Sequence, residues 1–179
     1  MNRSEIMPGY VYHINNSYFD AVKDNKLMRN HENDMRRPTY FCANDKKTGL
    51  LWVIPMSKQI DKYSGFMEID INRYGKCLKI VIGEYASGKA AFLLQNMFPV
   101  LPKYIDHVHL VKQNPVPVNS KLQREINRNF RELLRLHRKG IKTVFPDIIR
   151  LEKLMLDERG NISDDENQLG LQGEASHPK

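Results

Sequence analysis

The chain has 179 residues, the size of a single domain that buries a core without disulfide staples or a structural metal. With 41% hydrophobic and 27% charged residues it is neither disordered nor collagen-like, and no run approaches the roughly 18 apolar residues that a membrane span needs. The net charge of +7 is unevenly spread: residues 158–179 hold five of the 21 acids and two of the 28 bases, leaving 26 bases against 16 acids, or +10, on the first 157 residues, which favours a polyanionic partner and says nothing about chemistry.

Residues 1–7 lack the apolar stretch of a signal peptide, so a cytoplasmic location without a membrane partner is expected. Gly9-Tyr10-Val11-Tyr12-His13-Ile14 alternates and reads as a first strand, and Asn15-Asn16-Ser17 caps a short helix through about Leu27. After a polar loop, Thr39 to Ala43 and Leu50 to Ile54 form a hairpin across Asn44 to Gly49, with Pro55 ending its second strand. Ser57 reads as the N-cap of a helix that breaks at Ser64-Gly65. Residues 77–85 and 89–95 suggest a second hairpin, and Cys42 and Cys77, both in apolar strand-like segments, read as buried thiols. Asn119-Ser120 opens a helix to about Lys139, closed by Gly140, and Pro146 precedes another to about Asp157. Residues 1–157 then make one domain, and 158–179, acidic and without periodicity, a disordered tail. The expected class is α+β, an antiparallel sheet curled into a small barrel with surrounding helices; an open sheet with helices on one face is the second choice.

The sharpest chemical signal lies in the helix at 119–139. Lys121, Arg124, Arg128, Arg131, Arg135 and Arg138 recur every three or four residues and share one arc of the helix, while Leu122, Ile126, Phe130, Leu133 and Leu134 fall roughly opposite. Guanidinium groups in a row suit phosphates, and pairing with Glu125 and Glu132 is the competing use. At the end of the first hairpin, Ser57 stands at a strand-to-helix junction with Lys58 and Lys62 one turn apart, a pattern that fits a phosphate cradle or an ordinary cap with wet lysines. Asp106, His107 and His109 resemble half a metal site that no other pair completes, and His31 is a loop imidazole able to act as acid or base near neutrality. No Walker loop, GxGxxG, GxSxG or HExxH occurs, which argues against the corresponding enzyme classes.

Several blocks, in order over residues 8–157, resemble the toxins of type III toxin–antitoxin systems, and within that ToxN/AbiQ family the CptN-like branch. They are Arg37-Pro38-Thr39-Tyr40-Phe41, Thr48-Gly49-Leu50-Leu51-Trp52-Val53-Ile54-Pro55-Met56-Ser57, Asp61-Lys62-Tyr63, Gly83-Glu84, Ala91-Phe92-Leu93-Leu94-Gln95-Asn96-Met97-Phe98-Pro99, Arg138-Lys139-Gly140-Ile141 and Phe145-Pro146-Asp147. The resemblance implies a β-barrel core related to MazF and Kid. It further implies an endoribonuclease that needs no metal or other cofactor, cuts adenine-rich RNA to a 2′,3′-cyclic phosphate and a 5′-hydroxyl, and is held inactive in a closed assembly with a processed pseudoknot antitoxin RNA.

On this resemblance Ser57 falls on the first of the family's two active-site hydroxyls, Lys58 stands where many relatives have a second Ser, and Thr39 where the ToxN branch has Lys, so a lysine at 58 or 62 substitutes for it. Ser57 is assigned to the scissile phosphate, Lys58 or Lys62 to charge stabilisation or proton transfer, and Tyr40 and Arg37 to the surrounding shell; base and acid are left open. Arg36, Lys121, Arg124, Arg128, Arg131 and Arg135 are assigned to RNA, both antitoxin and cellular substrate. A non-catalytic RNA- or DNA-binding module is the competing class.

Overall fold

A computed structural model describes residues 6–30, 37–86 and 88–173, with side chains as far as position 160. Strand β1 (Val11–Ile14) leads into α1 (Asn16–Val22), where the Asn15 side chain accepts from the Ser17 N–H. Helix α1 stops before the expected Leu27 because Lys23 adopts a left-handed conformation, φ 47°, and its N–H closes on the Phe19 carbonyl. Strands β2 (Thr39–Asn44) and β3 (Leu51–Ser57) form the expected hairpin, and β4 (Ile80–Tyr85) and β5 (Gly88–Leu93) the second. Four further short strands follow: β6 (Phe98–Val100), β7 (Ile105–Val108), β8 (Leu110–Val111) and β9 (Asn114–Pro115).

Every strand pair is antiparallel, and the main sheet runs β4-β5-β3-β2-β1-β7 with β6 also on β3. Among the described residues its two ends, β4 and β7, do not pair, so the sheet is open and the expected barrel is not formed. Strand β3 gives one edge to β2 and splits the other: Leu51, Trp52 and Val53 pair with β6, Met56 and Ser57 with β5. Pro55 therefore does not end β3. The Met56 N–H bonds back to Pro38 in the β2 direction, so the missing N–H of Pro55 falls on the opposite edge, in the gap between β6 and β5.

Strand alternation sends side chains to both faces, and both are covered, which also overturns helices on one face. Val11, Tyr40, Trp52, Ile54, Met56 and Phe92 pack under α3 (Ser120–Arg138) through Leu122, Ile126, Phe130 and Leu133. Tyr12, Ile14, Phe41, Leu51 and Val53 pack against Tyr18, Phe19 and Val22 of α1 and Leu151 and Met155 of α4 (Ile148–Gly173). Each such apolar side chain contributes about 1.5–3 kcal/mol when fully buried. Helix α4 continues past the expected end near Asp157 once Leu151 and Met155 have anchored its first turns.

Helix α2 (Ile60–Tyr74) is unbroken through Ser64-Gly65. Gly65 faces open space, and its cost of about 1 kcal/mol relative to Ala is outweighed by Tyr63, which packs on Ile80, Ala91 and Leu93. Gly83 in β4 has a stricter role: a Cβ there would stand 2.7 Å from a Leu122 methyl, so only glycine lets β4 approach α3 this closely. Cys42 and Cys77 are both free thiols; Cys42 is buried and donates to Asn127 Oδ1 at 3.0 Å, while Cys77 is half-buried.

Candidate active site

The end of β3 is the centre of the site. The Ser57 hydroxyl accepts from the Gln59 N–H at 3.2 Å, shaping the turn into α2, and the helix cap itself is Gln59, which makes no side-chain cap bond. Ser57 is thus not the N-cap that its position suggested, and its own proton remains to be donated. Arg37, entering β2, donates from Nη1 to the Met56 carbonyl and from Nε to the Arg29 carbonyl, both at 3.4 Å, while Asn30 accepts from its backbone N–H. Half-burial lowers the Arg37 pKa, and the nearby Tyr63 opposes that shift. Lys62, one turn into α2, lies with Nζ 5.7 Å from the Tyr63 ring centroid. Arg37 and Ser57 are therefore joined through Met56, and Lys62 approaches from α2 beside Tyr63. Lys58 is exposed and belongs electrostatically to a different group.

That group is a set of imidazoles that the sequence did not reveal. The β1–β7 register places His13 opposite His107, and the His109 N–H bonds to Val11 at 2.7 Å, so three histidines share one face of the sheet end. His13 Nε2 and His109 Nδ1 are 3.0 Å apart and share a hydrogen bond; the His13 and His107 rings stack with centroids 4.6 Å apart. Tyr85 lies against His109, centroids 6.3 Å apart, and Asp106 bonds to Nδ1 of His107. By sequence His13 reads only as part of a strand, and nothing in one sequence announces that β1 pairs with a segment more than 90 residues away. The half-metal reading of Asp106, His107 and His109 gains no further ligand: among the described residues no group of three or more His, Cys, Asp or Glu side chains is arranged to hold a metal ion.

His109 is shifted towards its neutral form, first by burial and then by repulsion from Lys58 and His107. If Nδ1–H donates to His13, its Nε2 is a lone-pair base; in the other tautomer Nε2 is a donor, so the same pair supports proton transfer in either direction. Because the Lys58 ammonium lowers the affinity of His109 for a proton, Lys58→Met is expected to raise the His109 pKa, read from imidazole NMR shifts during titration. The linkage has a definite sign. A histidine that binds its proton less well folded than unfolded contributes stability above its unfolded pKa, about 6.5, and loses it as pH falls through the folded value. His109→Gln should flatten the corresponding fall in unfolding free energy just below that pH; an unchanged slope would remove the shift.

Tyr40 lies elsewhere. It is fully buried beneath α3, perpendicular to Phe92 at 5.5 Å, and its hydroxyl has no hydrogen-bond partner among the described residues; burial raises its pKa steeply. Such an orphaned hydroxyl costs about 1–3 kcal/mol, so Tyr40→Phe is expected to raise Tm. A lower Tm would show that the hydroxyl is paired in solution.

The basic rail is exposed along its whole length, as the periodicity predicts. Arg124, Arg128, Arg131 and Arg135 line one wall of a groove of about 1030 Å³, with Lys76 and the end of α2 opposite. Glu132 engages Arg135 bidentately at 2.9 and 2.7 Å, and Glu152 takes Arg138 at 3.0 Å. Among the described residues Lys121, Arg124, Arg128 and Arg131 make no ion pair. Arg36 and His31 lie outside the described residues.

No protein-family model matches the chain, and no curated protein matches it. Solved structures do. One is the toxin of a bacterial type III toxin–antitoxin system described with selective inhibition by a non-coding RNA pseudoknot, ToxN, at TM-score 0.62 and 15% identity, covering 86% of this chain and 99% of that one. Another is AbiQ, a lactococcal anti-phage endoribonuclease of the type III toxin–antitoxin class, at TM-score 0.62 and 16% identity, covering 84% and 98%. At such identities the likeness shows the fold. The likeness to MazF and Kid that the resemblance implies is not shown by these two structures.

Proposed function

We propose that the protein is an endoribonuclease toxin of a type III toxin–antitoxin system, of the CptN-like branch, which cleaves adenine-rich cellular RNA and is silenced by a structured antitoxin RNA. The observation that carries this reading is the fold, shared over 99% and 98% of the length of two such toxins, one of them an endoribonuclease and the other inhibited by an RNA pseudoknot. The strand-end arrangement supplies chemistry of the right kind on it. The RNA 2′-hydroxyl loses its proton to a base and forms the O2′–P bond; the P–O5′ bond breaks and the departing oxygen takes a proton, leaving a 2′,3′-cyclic phosphate and a 5′-hydroxyl. His109, shifted towards neutrality, is the best supported base, and its exchange with His13 offers a route for the returning proton. Ser57 donates to a non-bridging oxygen, and Arg37, Lys58 and Lys62 stabilise the charge that develops on phosphorus. The rail binds the phosphates of substrate and antitoxin, which close with the protein into one assembly.

The test is incubation of purified protein with adenine-rich RNA in EDTA, followed by analysis of the ends. Cleavage with a cyclic phosphate, abolished by a single 2′-deoxy nucleotide at the attacking position, is the expected result. Cleavage that persists on the 2′-deoxy substrate would show that water attacks instead. Binding without cleavage would make the protein a non-catalytic RNA module.

A further inference from the structure

Cleavage by the RNA 2′-hydroxyl needs two proton carriers, one on each side of phosphorus, because the attacking O2′ and the departing O5′ lie in line across it. One imidazole cannot serve both oxygens in a single step. His109, shifted towards its neutral form, suits the 2′-hydroxyl, and the donor to O5′ remains to be found. The neighbouring rings differ in what they can reach. His13 is 8% exposed and its ring is stacked against His107 at an interplanar angle of 27°, whereas 57% of the His107 side chain is exposed. His107 and His109 are two residues apart on extended chain, both held to β1, so their Cα atoms stand about 6.5 Å apart on one side. A phosphate fits between them. Asp106 accepts from Nδ1–H of His107, and a carboxylate at that nitrogen fixes the ring and stabilises the imidazolium, which donates from Nε2. The two rings are thereby set apart: Asp106 favours charge on His107, and His107 in turn resists protonation of His109.

We infer that His107 is the general acid of the cleavage, donating from Nε2 to the departing O5′, with Asp106 as its positioning residue. The inference rests on the reading of the protein as an RNA-cleaving enzyme and adds a catalytic residue to it. The step balances. The O2′–P bond forms as the 2′-hydroxyl proton passes to His109, and the P–O5′ bond breaks as the His107 proton passes to O5′. His107 ends neutral and His109 charged, so one proton returns to His107 from water and one leaves His109, for which the His109–His13 hydrogen bond gives a path. Asp106 keeps its negative charge throughout.

The test compares an adenine-rich RNA with the same RNA carrying sulfur in place of O5′ at the cut. A thiolate departs without being protonated, so the sulfur substrate removes the need for an acid and keeps the need for a base. On the ordinary RNA, His107→Asn should slow cleavage by about 10²–10⁴-fold, the usual contribution of a positioned proton donor. On the sulfur substrate the same variant should cut at close to the native rate, while His109→Asn should be slow on both. His107 is exposed, so its replacement should leave the melting curve near that of the native protein. Asp106→Asn should move the alkaline limb of the pH–rate profile, where the imidazolium is lost, to lower pH. The other titratable groups around the cluster, His13, His109, Lys58 and Tyr85, are the same in that variant. An equal loss on both substrates in His107→Asn, or an unmoved alkaline limb in Asp106→Asn, would overturn the acid and leave the enzyme standing. A native protein that cuts neither RNA would defeat the enzyme reading and the assignment with it.

Discussion

Ser57→Ala is expected to slow RNA cleavage by about 10²–10³-fold, the effect of losing one hydrogen-bond donor to the charge that develops in a transition state. Its effect on folding should be small, because the hydroxyl's structural task is one 3.2 Å bond to the Gln59 N–H in a partly exposed turn. The comparison that matters is between the catalytic rate and the affinity for uncleavable, 2′-deoxy-substituted RNA. Loss of rate with affinity retained assigns Ser57 to the transition state; a matching loss of affinity reassigns it to recognition. On the proposed function, expression in cells should repeat the result: Ser57→Ala should no longer arrest growth.

Replacing Arg124, Arg128 and Arg131 together by glutamine is expected to weaken RNA binding on the order of 100-fold near 0.15 M salt, by release of about three fewer counterions, and to lower the salt slope by 2–3. These three are chosen because they line the groove and no carboxylate of the described residues neutralises them, whereas Arg135 is already held by Glu132. Arg135→Gln alone should therefore do less. Fluorescence anisotropy across a salt series measures both quantities; an unchanged slope in the triple variant would remove the rail from the interface. The substitutions keep the helix and its buried face, so a melting curve near that of the native protein separates lost contact from lost fold.

Where alternation or helical period marks an element, the chain could be read directly. The two hairpins, the capped start of α3 at Asn119 and the division of α3 into a buried Leu122-Ile126-Phe130-Leu133 stripe and an exposed basic arc follow from side chains within a few residues of one another. Local signals misled where tertiary contacts outweighed them. Gly65 looks like a helix break until Tyr63 is seen anchored on Ile80 and Leu93. Pro55 looks like a strand end until β3 is seen to change partners there.

For this protein the sequence alone determined an α+β class, a basic body and an arginine-rich face, because these depend on composition and on periods of two and 3.6 residues that each segment carries within itself. Only the tertiary structure decided that the sheet stays open, that Tyr40 goes under α3 and away from solvent, and that His13 meets His107 and His109. The physical reason is the same in each case. Strand pairing between distant segments is selected by the fit of whole faces, and no short stretch of chain encodes which edge it will meet.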